Sequence, residues 1–173
     1  MIYEEIQGYK KLLWLLIPMP ITLVMIFTFW VAEKDPAEKT EILYALLLVV
    51  AVELLVLLMF LNMKLVTRID KEGITFHYRP FLKSRHYKWT DIKSAAVRRY
   101  NAIGEYGGWG LKTGWKKNNK AYNVWGNKGL QLELKDGKRI LIGTQKHQDM
   151  VLFLRRLKEK YNIISIEEPQ LNG

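Results

Sequence analysis

No cysteine occurs anywhere in the 173 residues. That excludes a disulfide framework, an iron–sulfur cluster and a thiol nucleophile, and it leaves the compartment open. Histidine is scarce as well. His77, His86 and His147 show no metal-ligand spacing with one another or with carboxylates. His77 and His86 face each other only if a hairpin pairs them, and two imidazoles without a third ligand make a poor zinc site. There is no Walker lysine motif, no GxSxG elbow and no HExxH. The run from Gly104 to Gly110 is not a dinucleotide fingerprint, because no helix is expected after it. Acids are few beyond residue 61, 10 against 23 Lys and Arg. Asp70, Glu72, Asp91, Asp136 and Asp149 fall at turns or element boundaries. With no catalytic constellation, the chain reads as a non-enzyme without cofactor or metal.

Charge is missing from two long stretches. Leu12–Ala32 is 21 residues without a charge, and Ile42–Leu61 is 20 residues with only Glu53. Each spans about 30 Å as a helix, the thickness of a bilayer's hydrocarbon core. A wholly soluble protein is thereby excluded. A cleaved signal peptide fits poorly, since Glu4 and Glu5 stand beside Lys10 and Lys11 and the apolar run exceeds an h-region. The expectation is a two-helix transmembrane hairpin over residues 1–63, with spans near 12–32 and 42–61. Trp14 and Trp30 mark opposite ends of the first span and Tyr44 the outer end of the second, where amphipathic rings favour the interface. Lys10, Lys11, Lys64, Arg68, Lys71 and Arg79 flank one side. The connecting loop 33–41 has Lys34 and Lys39 against four acids. Six bases against two predict a multi-pass protein of the cell (inner or plasma) membrane with both termini cytoplasmic.

Glu53 is the single ionisable group at membrane depth. Counted from the cytoplasmic ends of an antiparallel hairpin, it lies level with Pro20 and close to Thr22. A proton or ion relay is one reading of such a group. A neutral polar clasp between Glu53 and Thr22, within the hairpin or across a dimer, is the reading preferred here, because one carboxyl has no partner charge.

After Asn62 the apolar pattern changes to short strands between turn signals. Leu65–Ile69, Ile74–Arg79, Ser84–Trp89, Ser94–Tyr100, Leu130–Lys135 and Lys138–Ile142 are predicted strands, the last two flanking Asp136-Gly137. Trp109–Thr113 and Ala121–Trp125 are weaker strands in a Gly/Asn-rich segment, 104–129. About seven strands without an intervening helix suggest an antiparallel barrel or sandwich. A helix over 145–161 follows, with Thr144 as N-cap and Met150, Val151, Leu154, Leu157 and Tyr161 as one apolar stripe. Residues 162–173 form a tail, read as a short strand or loose end.

The runs Ile69-Asp70-Lys71-Glu72-Gly73-Ile74 and Tyr87-Lys88-Trp89-Thr90-Asp91-Ile92, and then LELKDGKRILIGTQ before a helix, resemble bacterial membrane proteins with a pleckstrin-homology-like (PH-like) domain. The likeness covers about 64–161 and the hairpin before it. It implies a membrane-anchored α+β chain with a PH-like antiparallel β-barrel and a C-terminal amphipathic helix. Its motifs are structural and imply no active site.

The part after residue 61 carries +13, and the part before it −3. The densest basic stretch is Leu111–Lys120, with Lys112, Lys116, Lys117 and Lys120 around Trp115. Lysines near a bilayer are drawn to anionic head groups, and a tryptophan suits the interface. These five residues are the expected lipid contact. The leading functional expectation is a non-enzymatic membrane protein whose cytoplasmic PH-like domain binds an anionic lipid surface or a protein partner at the inner leaflet. The alternative is an assembly or scaffold subunit, a homo-oligomer through spans and barrel. Nucleic acid ranks last, because an anionic membrane already accounts for the positive charge.

Overall fold

A computed structural model describes residues 1–9, 18–31, 36–114 and 118–170. The chain divides into two compact units: Met1–Gln7 with Lys64–Gly173, and Gly8–Met63. The strands are β1 (Tyr3–Gly8), β2 (Lys64–Ile69), β3 (Gly73–Arg79), β4 (Leu82–Lys88), β5 (Ile92–Arg99), β6 (Gly110–Thr113), β7 (Asn119–Asn123), β8 (Lys128–Leu134) and β9 (Arg139–Gly143). The helices are α1 (Pro18–Val31), α2 (Pro36–Asn62), α3 (Ala102–Tyr106) and α4 (His147–Tyr161).

In the helical unit, α2 starts with Pro36 at its first position and Glu38 in its first turn, both favourable at a helix N-terminus. Its 27 residues cover about 40 Å. Among the described residues it is the one helix long and apolar enough to cross a membrane, over Leu43–Asn62. The described first helix, α1, has 14 residues and covers about 21 Å. The structure therefore shows one candidate span where the sequence predicts two. At the start of the unit, Tyr9 meets Phe60 edge-on, ring centroids 5.4 Å apart.

In the sheet unit, β2 and β3 alternate as their sequences require. Leu65, Thr67 and Ile69 face inward with Ile74, Phe76 and Tyr78, while Lys64, Val66 and Arg68 face outward. The turn between them is held by Asp70, whose Oδ1 accepts from the Glu72 and Gly73 amides at 2.9 and 3.3 Å. Gly73 has no substitute, because a Cβ there would lie 2.2 Å from the Tyr87 carbonyl oxygen. Trp89 closes the same corner. Its amide donates to the Glu72 carbonyl and its Nε1 to the Asp70 carbonyl at 2.9 Å. The segments 69–74 and 87–92 thus meet at one corner.

The expected closed antiparallel barrel is not formed. There are two sheets, a four-stranded one ordered β1-β2-β3-β4 and a five-stranded one ordered β5-β8-β9-β7-β6. The short 3-10 turn Trp89–Asp91 carries the chain from the first to the second. No strand pairing joins the two sheets, and two positions beside their strands are taken by other segments. β1 takes the edge beside β2, and the tail takes the edge of β5, with Ile166 bridged to Ala95 and Gln170 to Arg98 in parallel. The second sheet is also not purely antiparallel. β9 lies between β8 and β7 and runs parallel to β7, Asn119↔Arg139 to Tyr122↔Ile142. Helix α4 buries Met150, Leu154 and Leu157; Val151 is half-buried and Tyr161 exposed. It starts two residues later than expected, and Thr144 Oγ1 accepts from the Lys146 amide at 3.1 Å.

Candidate functional site

β1 precedes the first apolar stretch, yet its alternate side chains Tyr3, Glu5 and Gln7 are buried. Glu5 is 2% exposed, and three donors surround its carboxylate. Thr144 Oγ1 donates to Oε2 at 2.7 Å, the Tyr3 hydroxyl to Oε2 at 2.8 Å and the Gln145 amide to Oε1 at 2.8 Å. Gln7 Nε2 donates to the Gly143 carbonyl at 2.6 Å. This clasp ties the N-terminal strand to the end of β9 and the approach to α4. Burial, then the Glu5 charge, pushes the Tyr3 hydroxyl well above its usual pKa.

The outer face of the first sheet is basic. Lys64 lies opposite Arg79, Val66 opposite His77, and Arg68 opposite Thr75. Thr75 is in turn opposite His86, whose Nδ1 is 2.8 Å from its Oγ1, and Gly73 is opposite Lys88. Arg68 has a weak partner in Asp70 at 3.6 Å.

The outer face of the second sheet is different. Helix α3 folds over it, capped by Asn101 Oδ1 on the Gly104 amide and ended by Gly107 with φ 71°. Beneath it Tyr100, Ala102, Tyr106, Ala121 and Leu141 form a small second core. Burial pushes the Tyr100 hydroxyl up to about 12. Beside α3 lies an open polar groove of about 630 Å³, with Glu167 and Gln170 of the tail on its wall. Its cations are already paired. The Arg98 guanidinium donates to Glu105 at 2.7 and 3.2 Å and to Gln131 Oε1 at 3.0 and 3.1 Å. Arg139 is paired with Glu133. Among the described residues no group of His, Asp or Glu could hold a metal.

Of the expected lipid contacts, Trp115, Lys116 and Lys117 lie outside the described residues. Lys112 pairs with Ala121 and Lys120 with Thr113, which puts the two lysines on opposite faces of the β6–β7 hairpin. Glu53 is partly exposed on α2 and forms no hydrogen bond or ion pair among the described residues. Thr22 is in α1, its side chain outside the described set. Trp14 also lies outside it. Trp30 stacks on Phe27 at 6.2 Å and is exposed, as is Tyr44. Sequence reasoning missed the Glu5 clasp. The alternation of Tyr3, Glu5 and Gln7 carries its period-2 signal, hidden because two of the three are polar. No protein-family model matches the chain, and no curated protein matches it.

Proposed function

We propose that this chain is a membrane-anchored, non-enzymatic binding module: a two-span hairpin carrying a PH-like domain on the cytoplasmic side, where it engages the anionic surface of the inner leaflet. The observation that carries the reading is the pairing of β1 with the strand that follows the second apolar stretch. Residues 3–8 and 64–69 share one sheet, so the chain between them leaves and returns on one side of any membrane it crosses. One full span requires a second. The reading is supported by Tyr9, which meets Phe60, and by Met63 O, 3.7 Å from where a Gly8 Cβ would lie, so that the chain comes back to the point it left. The six-to-two excess of bases near those legs assigns that side to the cytoplasm. The first sheet's outer basic face supplies the attraction, worth about 1 kcal/mol per basic residue close to the surface.

Two measurements on the full chain test this. A reporter after Gly173 should be active in the cytoplasm and one inserted at Asp35–Pro36 outside; an exported C-terminus sinks the reading. In reconstituted vesicles, phosphatidylglycerol should protect the sheet unit from trypsin relative to neutral lipid. About 0.5 M salt, where screening shortens to a few ångström, should remove that protection.

A further inference from the structure

The register of the first sheet fixes which of its ends points back along the chain to the apolar helix. Lys64 follows Asn62, the last residue of α2, by two positions, and Lys64 pairs with Arg79. Directly opposed residues in an antiparallel pair lie about 5 Å apart. The β3–β4 turn after Arg79 is therefore tethered within a few residues of the end of α2. At that turn Phe81 is 56% exposed, a large apolar ring with no core to join. Arg79 and Lys83 flank it, and neither they nor Lys64 has an acidic partner among the described residues.

A second aromatic group belongs to the same end. The Tyr78 hydroxyl, one residue before Arg79, reaches the Asn123 carbonyl at 3.4 Å. Asn123 pairs with Gly110 at one end of the β6–β7 hairpin, and just past that pair Trp109 and Trp125 stack, centroids 5.3 Å apart. They are 38% and 43% exposed, and Trp109 Nε1 donates to the Gly126 carbonyl at 2.9 Å. The other end of that hairpin, Thr113↔Lys120, leads toward Trp115 and its lysines.

We infer that the end of the sheet unit marked by Phe81 and the Trp109–Trp125 stack, with Lys64, Arg79 and Lys83 around it, is the surface that docks onto anionic bilayer lipid, and that the 112–120 segment is not. Exposed aromatic rings, one with its indole N–H already bonded within the protein, suit the interface zone, and cations without an acidic partner among the described residues suit phosphate head groups. The inference rests on the proposed anchoring and specifies the surface it uses.

The absence of cysteine makes the test direct, because a single introduced cysteine is the only labelling site. Full-length Phe81→Cys, Trp125→Cys, Lys116→Cys and Leu48→Cys variants would carry an environment-sensitive dye. They would be reconstituted in phosphatidylcholine vesicles with or without phosphatidylglycerol, and quenched by spin-labelled lipid. Leu48, exposed midway along α2, reports the anchor. Quenching at Leu48 in both lipids, and at Phe81 and Trp125 more strongly with phosphatidylglycerol, is expected. Phe81→Cys is safe for folding because the ring is exposed. Adding Arg79→Glu and Lys83→Glu to it should abolish the phosphatidylglycerol dependence, each basic residue being worth about fivefold in partition. Leu48 unquenched would refute the anchor itself. Leu48 quenched with Phe81 and Trp125 dark, or with Lys116 quenched more than Phe81, would overturn this inference alone. A blue shift at Phe81 without lipid quenching would mean that protein, such as a second copy, covers this end, and would overturn it too.

Discussion

The two units treat the same side chains in opposite ways. In the sheet unit Leu65, Leu130 and Leu132 are wholly buried, whereas in the helical unit Leu48 and Leu55 are 67% and 68% exposed. Carboxylates reverse in the same manner. Glu5 sits in the protein interior with three donors around it, while Glu53 is partly exposed on an apolar helix without a bond among the described residues. A unit that exposes leucine at that rate has no water-facing solution to the hydrophobic effect. The sheet unit buries its leucines against itself and places charge outside. The difference teaches that the two units handle apolar side chains by different rules, and that α2 is long and apolar enough to cross a membrane over Leu43–Asn62. The strand β1, which precedes the helical unit in sequence, pairs within the sheet unit.

The largest expected effect comes from breaking that assignment. Glu5→Leu leaves the Tyr3 and Thr144 hydroxyls and the Gln145 amide without their acceptor. Removing one side of a buried charged hydrogen-bond set costs about 4 kcal/mol. Thermal unfolding of the full chain in detergent should show the sheet unit melting much earlier. Glu53→Leu, by contrast, should leave that transition in place. Equal destabilisation by the two would erase the contrast drawn between the units.

The sequence was legible where one period and one turn signal agreed. Asp70-Lys71-Glu72-Gly73 and Asp136-Gly137 mark hairpins, and Met150, Leu154 and Leu157 mark the buried face of the last helix. Three things were not legible, for physical reasons. β1 hides because Glu5 and Gln7 are polar residues buried by specific hydrogen bonds, which no hydropathy pattern records. Sheet order hides because the parallel β7–β9 pair joins residues brought together by the β8–β9 hairpin and not by their own turn. Helix α3 hides because it is five residues held by the Asn101 cap and Gly107, inside a run that reads as loop. For the site, counting lysines pointed to 112–120. The register adds what no count could, that Arg79 lies opposite Lys64, two positions after the end of α2.

A middle-sized effect separates the units by pH. The Tyr100 hydroxyl has its pKa pushed up to about 12 by burial, against about 10 in an unfolded chain. The folded state therefore favours the neutral phenol. Its contribution is complete below pH 10 and is lost as pH rises from 10 toward 12. Two pKa units correspond to about 2–3 kcal/mol. Stability of the sheet unit measured across that range should fall, and Tyr100→Phe should flatten the fall. The helical signal of α2 should be indifferent to the substitution. An unchanged alkaline limb in Tyr100→Phe would assign the loss to other groups.

The smallest effect concerns a polar atom buried in the way the Glu5 clasp avoids. Thr67 faces inward from β2 opposite Phe76, is fully buried, and its Oγ1 has no hydrogen-bond partner among the described residues. Thr144, buried almost as deeply, both donates to Glu5 and accepts from Lys146. The two threonines therefore predict opposite signs for one substitution. Thr67→Val replaces a desolvated hydroxyl with a methyl group of nearly the same shape and should stabilise by about 1 kcal/mol. For a unit of this size that raises the melting temperature by about 4 °C. Thr144→Val should cost about 1–2 kcal/mol, because it strips a donor from the Glu5 carboxylate and an acceptor from the Lys146 amide. If Thr67→Val destabilises instead, its hydroxyl is bonded in solution, and unpaired burial does not distinguish it from Thr144.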